Sequence, residues 1–352
     1  MVPDRLYFVV PGDIETRTGG YGYDREILAG LRARGWQVAL VGLTGTYPSP
    51  TERDRATAAA ALAALPDGAL VLVDGLAFGA LPAEVGYERT RLRLIALVHH
   101  PLGLETGISE DDSKRLLASE EKALTAAVGV VVTSPRTVGA VQDLGFPGDR
   151  IAVVEPGTES AEPAKGSGGG PLHLLCVASV VPRKGYDTLL DALASLMHLD
   201  WTLTIVGSLD REAAYASEIA ARCGAAPFNQ RVTLAGELAG AALESQYVAA
   251  DLFVLPTHYE GYGMVIAEAV ARAIPVVSTK TGAIESLVGD SAGVLVPPGD
   301  AASLSHALET LLTDRARLGQ LRQGALARRG TLQTWAAAAA SMEQALRRFA
   351  GA

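Results

Sequence analysis

Short apolar runs alternate with amphipathic stretches along nearly the whole of the 352-residue chain. The first is "LYFVV" (6–10), followed by a glycine-bearing loop, a helix-like "YDREILAGLRARG" and then "QVALVGL" (37–43), which together read as a β-loop-α-β unit. The rhythm continues through "ALVLVDG" (69–75), "LRLIALVHH" (92–100), a helix over 110–127, "VGVVVTS" (128–134) and "RIAVVEPG" (150–157). Runs of Val, Leu and Ile without polar alternation are what strands covered on both faces require, so the sheet should be parallel.

Between 158 and 171 the rhythm stops and "TESAEPAKGSGGGP" takes over, by composition a flexible linker. It restarts with "LHLLCVASV" (172–180), a helix over 187–197, "WTLTIVGS" (201–208), a helix over 211–222, "RVTLAGE", a helix near 241–249, "DLFVLPT", another helix, "IPVVST" and "AGVLVPPGD". The tail from 301 onward is helical. This pattern predicts an α/β protein of two doubly wound, Rossmann-like domains, 1–160 and 161–332, facing across a cleft, with a last helix over 333–352.

Composition removes several alternatives. An apolar content of 49% excludes a disordered chain, and 39 acidic against 30 basic residues, a net charge of −9, gives no electrostatic case for nucleic acid. Cys176 and Cys223 have no spaced partner for a disulfide framework or a zinc site, which suits a reducing, cytoplasmic setting. The start "MVPDRLYFVVPG" is too short in apolar residues for a signal peptide, and no run approaches a transmembrane segment of about 18–20 apolar residues.

Ligands of doubly wound sheets bind beyond the carboxyl ends of the strands, so the loops after strands are where chemistry is expected. "TRTGGYG" places Gly19, Gly20 and Gly22 before a helix, allowing close backbone approach and amide donation to a ligand, or simply making a tight turn. It lacks the dinucleotide G-x-G-x-x-G spacing and the phosphate-loop lysine. "LVHHPLGLETG" ends a strand on His99 and His100, two neutral imidazoles suited to hydrogen bonding or proton handling, with no further metal ligand at suitable spacing. "VASVVPRKGYDTLL" sets Arg183 and Lys184 ahead of a glycine and a helix, either a phosphate clamp or two solvated loop charges.

The most pointed stretch is "HYEGYGMVIAEAV". Glu268 interrupts an apolar helix and Glu260 sits in the loop just before it. Glu268 stands four residues before Arg272, and an exposed pair of that spacing would contribute only about 0.2–0.5 kcal/mol. Its apolar surroundings instead call for bonded partners, which ligand hydroxyls supply. Glu260 can reach a ligand seated on the helix N-terminus, where phosphate is favoured. A nucleotide sugar meets both demands, with a diphosphate for the helix end and the bases, and hydroxyls for the acids.

"DLFVLPTHYEGYGMVIAEAVARAIPVVST" resembles the signature of the family-4 retaining glycosyltransferases of the GT-B fold, and the likeness extends through "HHP", "VVEPGTE", "PRKGYDTLLDAL", "TIVGS", "LAGEL" and "AGVLVPPGD". The resemblance implies an N-terminal acceptor-binding domain, a nucleotide-sugar donor domain, and a last helix that packs back on the first. It implies that Glu260 contacts the donor sugar, that Glu268 binds ribose hydroxyls, and that the amides of Gly261, Tyr262, Gly263 and Met264 line the sugar and diphosphate. Gly19 and Gly20 would face the diphosphate from the other domain, His99 would lie beside the transferred sugar, and Lys184 would hold the diphosphate. Two departures stand out: Ala178-Ser179 replaces the usual Gly-Arg, leaving Arg183 to compensate or not, and Glu285 lies one position before the usual acid, with Ser286 in its place.

The expected activity is hexosyl transfer from a nucleoside diphosphate sugar with retention of anomeric configuration, by front-face departure of the leaving group, without metal or other cofactor. The acceptor is open: a small metabolite, a glycan or a lipid. Rival readings are a GT-B sugar-nucleotide epimerase or hydrolase, and a non-catalytic sugar-nucleotide sensor.

Overall fold

The computed structural model describes residues 5–105 and 107–351. They form two compact units, the first made of the described residues within 1–157 and 333–352 and the second of residues 158–332. Each is built on a six-stranded, wholly parallel sheet.

In the first unit β1 (Arg5–Pro11), β2 (Gln37–Leu43), β3 (Leu70–Asp74), β4 (Arg93–Val98), β5 (Gly129–Val132) and β6 (Ile151–Val153) lie in the order β2-β1-β3-β4-β5-β6. The chain moves from β1 outward to β2 and then crosses to the other side of β1, which makes the junction of β1 and β3 the topological switch point. Strands β3 and β5 are buried along their whole length, as their unalternated apolar sequences require.

The helix Gly19–Ala33 is capped by Thr18, whose hydroxyl accepts the Tyr21 amide, and it buries Tyr23, Asp24, Ile27, Leu28 and Leu31 on one face. A carboxylate thus stands in an otherwise apolar stripe. The terminal helix Trp335–Ala350 packs on this unit: Phe349 lies where a side chain on Gly129 would stand, Ala339 sits against Gly30, and the Arg93 guanidinium donates to the Phe349 carbonyl at 3.0 Å. Removing the buried Phe349 ring would cost about 3–5 kcal/mol.

In the second unit β7 (Leu172–Val177), β8 (Trp201–Val206), β9 (Val232–Gly236), β10 (Leu252–Leu255), β11 (Val276–Thr279) and β12 (Gly293–Val296) take the order β12-β11-β10-β7-β8-β9. The chain runs outward from β7 to β9 and returns to the far side of β7, so the switch point lies between β7 and β10, whose Leu174 and Leu175 pair with Leu252 and Phe253.

One expectation needs correction. The stretch 158–171 has the composition of a flexible linker, yet it is tied to the second unit: the Ala164 amide bonds the Arg272 carbonyl at 2.8 Å, those of Lys165 and Gly166 share the Val248 carbonyl, and Arg322 and Arg329 donate to the carbonyls of Ala164 and Ala161. Backbone bonding, which composition does not reveal, fixes it. The stretch "DGLAFGALP" is partly helical, with Gly75–Phe78 capped by the Asp74 carboxylate. The helix Glu52–Ala63, whose apolar periodicity is weak, is held at its start by a capping box between Thr51 and Asp54. Among the described residues no helix is long and apolar enough to cross a membrane.

Candidate functional sites at the two switch points

The second unit gathers its charges at the carboxyl ends of β7 and β10. Lys184 belongs to the short 3-10 turn Pro182–Lys184 that follows β7, and Glu260 to the loop that follows β10. Their side chains meet with Lys184 Nζ 2.5 Å from Glu260 Oε2, while an Arg183 guanidinium nitrogen stands 3.9 Å from the same oxygen. These side chains are 12%, 15% and 23% exposed, enclosed by protein but open to a ligand. Burial lowers the Lys184 pKa while the Glu260 carboxylate opposes that shift.

The two loops are fastened together by backbone contacts. The His258 amide donates to the Arg183 carbonyl at 2.8 Å, and the Arg183 guanidinium donates to the Tyr259 carbonyl at 2.8 Å. Gly185 has φ +72°, and a Cβ there would lie 2.1 Å from the Pro256 carbonyl oxygen. Gly282, at φ +58°, comes so close that its Cβ would stand 1.5 Å from the Glu260 carbonyl oxygen. Only glycine combines that backbone conformation with that approach, so these two positions set where Lys184 and Glu260 stand.

Gly263, with φ +96°, precedes the helix Met264–Ala271, and the Ile266 and Ala267 amides both bond its carbonyl. The amides of Met264 and Val265 belong to the first turn, where no helical carbonyl is available to them. Gly261 and Met264 are partly exposed, whereas Tyr262 and Gly263 are buried.

Glu268 lies one turn further on and is partly buried. Its Oε2 accepts the Tyr247 hydroxyl at 2.8 Å, and burial raises its pKa, an effect that the Tyr247 bond and Arg272 counter. The side-chain pair with Arg272 that helical spacing allows, set aside above for ligand partners, does not form as a hydrogen-bonded contact: that guanidinium reaches Glu244 at 2.5 Å and the backbone carbonyl of Glu268 at 3.0 Å. Arg272 also lies over the Tyr247 ring, 4.5 Å from its centroid, and Tyr247 stacks on Phe253. Tyr247 and Glu244 were not legible as partners, because neither lies at helical spacing from Glu268. Glu285 and Ser286 are exposed on the short helix Ile284–Val288 and do not join the group.

The first unit assembles a different cluster. His99 follows β4, and its Nε2 lies 3.1 Å from Asp24 Oδ1 and 3.4 Å from Asp74 Oδ2. Asp24 comes from the helix after β1 and Asp74 ends β3, so the group forms at the β1/β3 switch point. Tyr23 meets the imidazole edge to face at 5.3 Å, and Gly20 stands behind it, where a Cβ would lie 3.5 Å from Cδ2.

Spacing along the chain placed no acid beside His99, and a neutral ring was expected. The fold supplies two acids. Burial lowers the His99 pKa, but the charge and hydrogen bond of Asp24, with help from Asp74, outweigh it and lift the value to about 10. Burial pushes Asp24 up to about 6 against the pull of His99. The signal for Asp24 was its place in a buried helical stripe, and for Asp74 its place at the end of "LVLVD". Their donor atoms and that of His99 all lie within 4.8 Å of one another.

The glycines of "TGG" are not demanded by packing. No atom lies within 4 Å of a Cβ built on Gly19, and one on Gly20 would make only an ordinary contact with His99. Both start a helix, where glycine is less favourable than alanine.

Residues 171–314 match the family model described as "Glycosyl transferases group 1", and this stretch is a domain of that kind. The chain is 31% identical over 159 residues to the lipopolysaccharide core biosynthesis mannosyltransferase LpsB of Rhizobium meliloti, covering 44% of this chain and 45% of that protein. It is 30% identical over 275 residues to D-inositol 3-phosphate glycosyltransferase 1 of Catenulispora acidiphila, covering 70% of this chain and 65% of that one. The matches thus span about half to two thirds of the length of these relatives.

Among solved structures it resembles a sucrose-phosphate synthase from Thermosynechococcus elongatus, with TM-score 0.82, 22% identity, and 99% and 100% of the two chains covered. It also resembles Anabaena Alr3699/HepE, solved in complex with UDP-glucose, with TM-score 0.76, 17% identity, and 96% and 98% covered. The fold is GT-B.

Proposed function

We propose that the chain is a retaining glycosyltransferase that moves a hexose from a nucleoside diphosphate sugar to an acceptor hydroxyl. The observation that carries this reading is the convergence of Lys184, Arg183 and Glu260 at the β7/β10 switch point, next in sequence to the helix that bears Glu268. In this reading residues 158–332 form the donor unit. The diphosphate draws Lys184 from Glu260 and is met by the first-turn amides of Met264 and Val265, with the backbone of Gly261, Tyr262 and Gly263 lining the sugar. Glu260, relieved of Lys184, accepts sugar hydroxyls, and the second oxygen of Glu268 accepts those of the ribose.

The negative charge that grows on the departing diphosphate is then stabilised by Lys184, Arg183 and the amides, and the acceptor hydroxyl enters on the face the diphosphate leaves, passing its proton to the departing diphosphate oxygen as the new C–O bond forms. No carboxylate nucleophile is required. Residues 1–157 bind the acceptor, with Gly19 and Gly20 close to the diphosphate and His99 beside the sugar. That the fold does not require glycine at 19 and 20 supports a ligand-facing role for them. Two free, buried cysteines suit a cytosolic setting.

The activities for which the relatives are named, mannosyl transfer and glycosyl transfer to D-inositol 3-phosphate, support sugar transfer and make a phosphorylated polyol the first acceptor to try. The test is a thermal-shift screen with UDP, GDP and ADP sugars, followed by product analysis with the donor that binds. A product of unchanged anomeric configuration is expected. Rapid consumption of donor without acceptor would assign an epimerase or hydrolase instead.

A further inference from the structure

We propose that Asp24 and Asp74 are positioning residues that hold His99 as a permanent imidazolium, so that its Nδ1–H serves as a fixed hydrogen-bond donor to an oxygen of the sugar nucleotide. The role toward the ligand rests on the glycosyltransferase reading above; the charge state does not.

Both carboxylates address the same nitrogen, Nε2, at 3.1 and 3.4 Å. That nitrogen must therefore carry its proton. Asp24 is fully buried, and its Oδ2 has no protein partner, so its charge is satisfied through the Oδ1 contact with the ring. Were the imidazole neutral, two enclosed carboxylates would share a single neutral donor, an arrangement that burial makes costly. With the ring cationic, both carboxylates face a positive charge.

The titratable groups facing His99 are Tyr23 and Asp24 from the helix after β1 and Asp74 from the end of β3, with His100 next along the chain. Between about pH 6, where Asp24 ionises, and about pH 10, where His99 would lose its proton, the ion trio is complete. The Nε2 side is occupied by the acids and backed by Gly20, and the side chain remains 23% exposed.

Nδ1 is then the nitrogen left for a ligand, and in an imidazolium it only donates. His99 is accordingly not a general base, although histidine at a strand end is the usual candidate for one. The three groups sum to one negative charge, so the ring offers a hydrogen bond without adding net positive charge near a centre that develops oxocarbenium character.

The experiment is a nitrogen-15 and carbon-13 NMR titration of the histidine rings in the full chain, with His99 assigned among the six histidines by His99→Gln. Both ring nitrogens of His99 should report the imidazolium form throughout about pH 6–9, whereas an unperturbed histidine titrates near 6.5. Asp24→Asn and Asp74→Asn should each bring the midpoint down into that range, so either variant suffices if the other does not fold. With the sugar nucleotide that binds, Asp24→Asn should lose turnover as pH rises through the new midpoint and regain it on acidification. A His99 midpoint near 6.5 in the parent overturns the proposal, as does a loss of turnover in both variants that is independent of pH. Stoichiometric zinc uptake by the parent, abolished in Asp24→Asn, also overturns it, because Nε2 would then be a ligand and not a donor. If no sugar nucleotide binds or turns over while the ring is cationic, the glycosyltransferase reading has failed and the charge-state assignment stands.

Discussion

The two switch points solve the same problem, presenting charge at the carboxyl edge of a parallel sheet, in opposite ways. In the second unit two cations, Lys184 and Arg183, share the one carboxylate of Glu260 on partly open loops whose positions depend on Gly185 and Gly282. In the first unit the cation is a histidine whose counter-charges, Asp24 and Asp74, are buried beneath it. An ion pair whose members are both still reached by solvent can exchange partners when an anion arrives. A cation whose counter-charges are buried cannot, and its charge and orientation are fixed instead. If the second unit is the donor half, as proposed, it is built to be rearranged by its ligand, and the first unit to stay as it is.

The largest expected effect is at the exchangeable pair. Lys184→Ala should lower turnover by about 100- to 1000-fold, the range for loss of one preorganised donor to developing negative charge, while affinity for the neutral sugar changes little. Single-turnover kinetics beside equilibrium binding separates the two quantities. Turnover close to that of the parent would move the role to Arg183 or to the amides. Next in size is Glu268→Gln, which keeps the shape but replaces a charged acceptor. Affinity for the free nucleoside diphosphate should fall about 10-fold or more, since hydrogen bonds to a charged group contribute roughly 1.5–3 kcal/mol. Tyr247→Phe frees the bonded oxygen and should give a smaller loss. Calorimetric affinities equal to the parent's for both variants would leave Glu268 as part of the fold alone.

How far the sequence disclosed these halves follows from the same contrast. The clustered residues of the second unit lie in two unbroken stretches, 183–185 and 260–268, because each loop leaves its strand and turns at once into a helix, so local pattern contains the motif. Parallel strands were legible for a similar reason: burial on both faces forces continuous apolar runs. Asp24, Asp74 and His99 lie far apart along the chain and meet only because β1, β3 and β4 end at one edge. No spacing rule finds such a trio, although an acid in a buried helical stripe is the same anomaly that made Glu268 conspicuous. Hydrogen bonds from backbone to backbone were the other blind spot, and they turn 158–171 from a compositional linker into part of the second unit.

A smaller effect on catalysis, with an opposite effect on stability, is expected at Gly20. Alanine there meets only an ordinary contact with His99 and should stabilise the helix by roughly 0.5–1 kcal/mol, visible as a raised denaturation midpoint. Turnover with a sugar nucleotide should nevertheless drop several-fold, because the added methyl intrudes where a ligand approaches. A variant both more stable and fully active would show that the glycine serves no ligand.

The smallest effect on activity, none, is expected at a second buried glutamate that sharpens the contrast with Glu268. Glu120, on the helix Glu110–Leu124 of the first unit, is 1% exposed and accepts the Leu102 amide at 2.8 Å. Burial raises its pKa from 4.5 to about 7, against the opposing pull of that amide. The folded state therefore keeps a proton that the unfolded chain releases between pH 4.5 and about 7, and by linkage its contribution to stability falls as pH rises across that window and is level above it. Glu120→Gln retains an acceptor for the Leu102 amide but cannot ionise, so the variant should gain stability relative to the parent over the same window and hold that gain at higher pH. Nucleotide affinity and turnover should match the parent throughout. Denaturant titrations of both proteins across the window measure the difference; a parallel pH dependence for the two would mean that Glu120 is ionised in the fold at no cost, and a loss of nucleotide affinity would place it with Glu268 rather than apart from it.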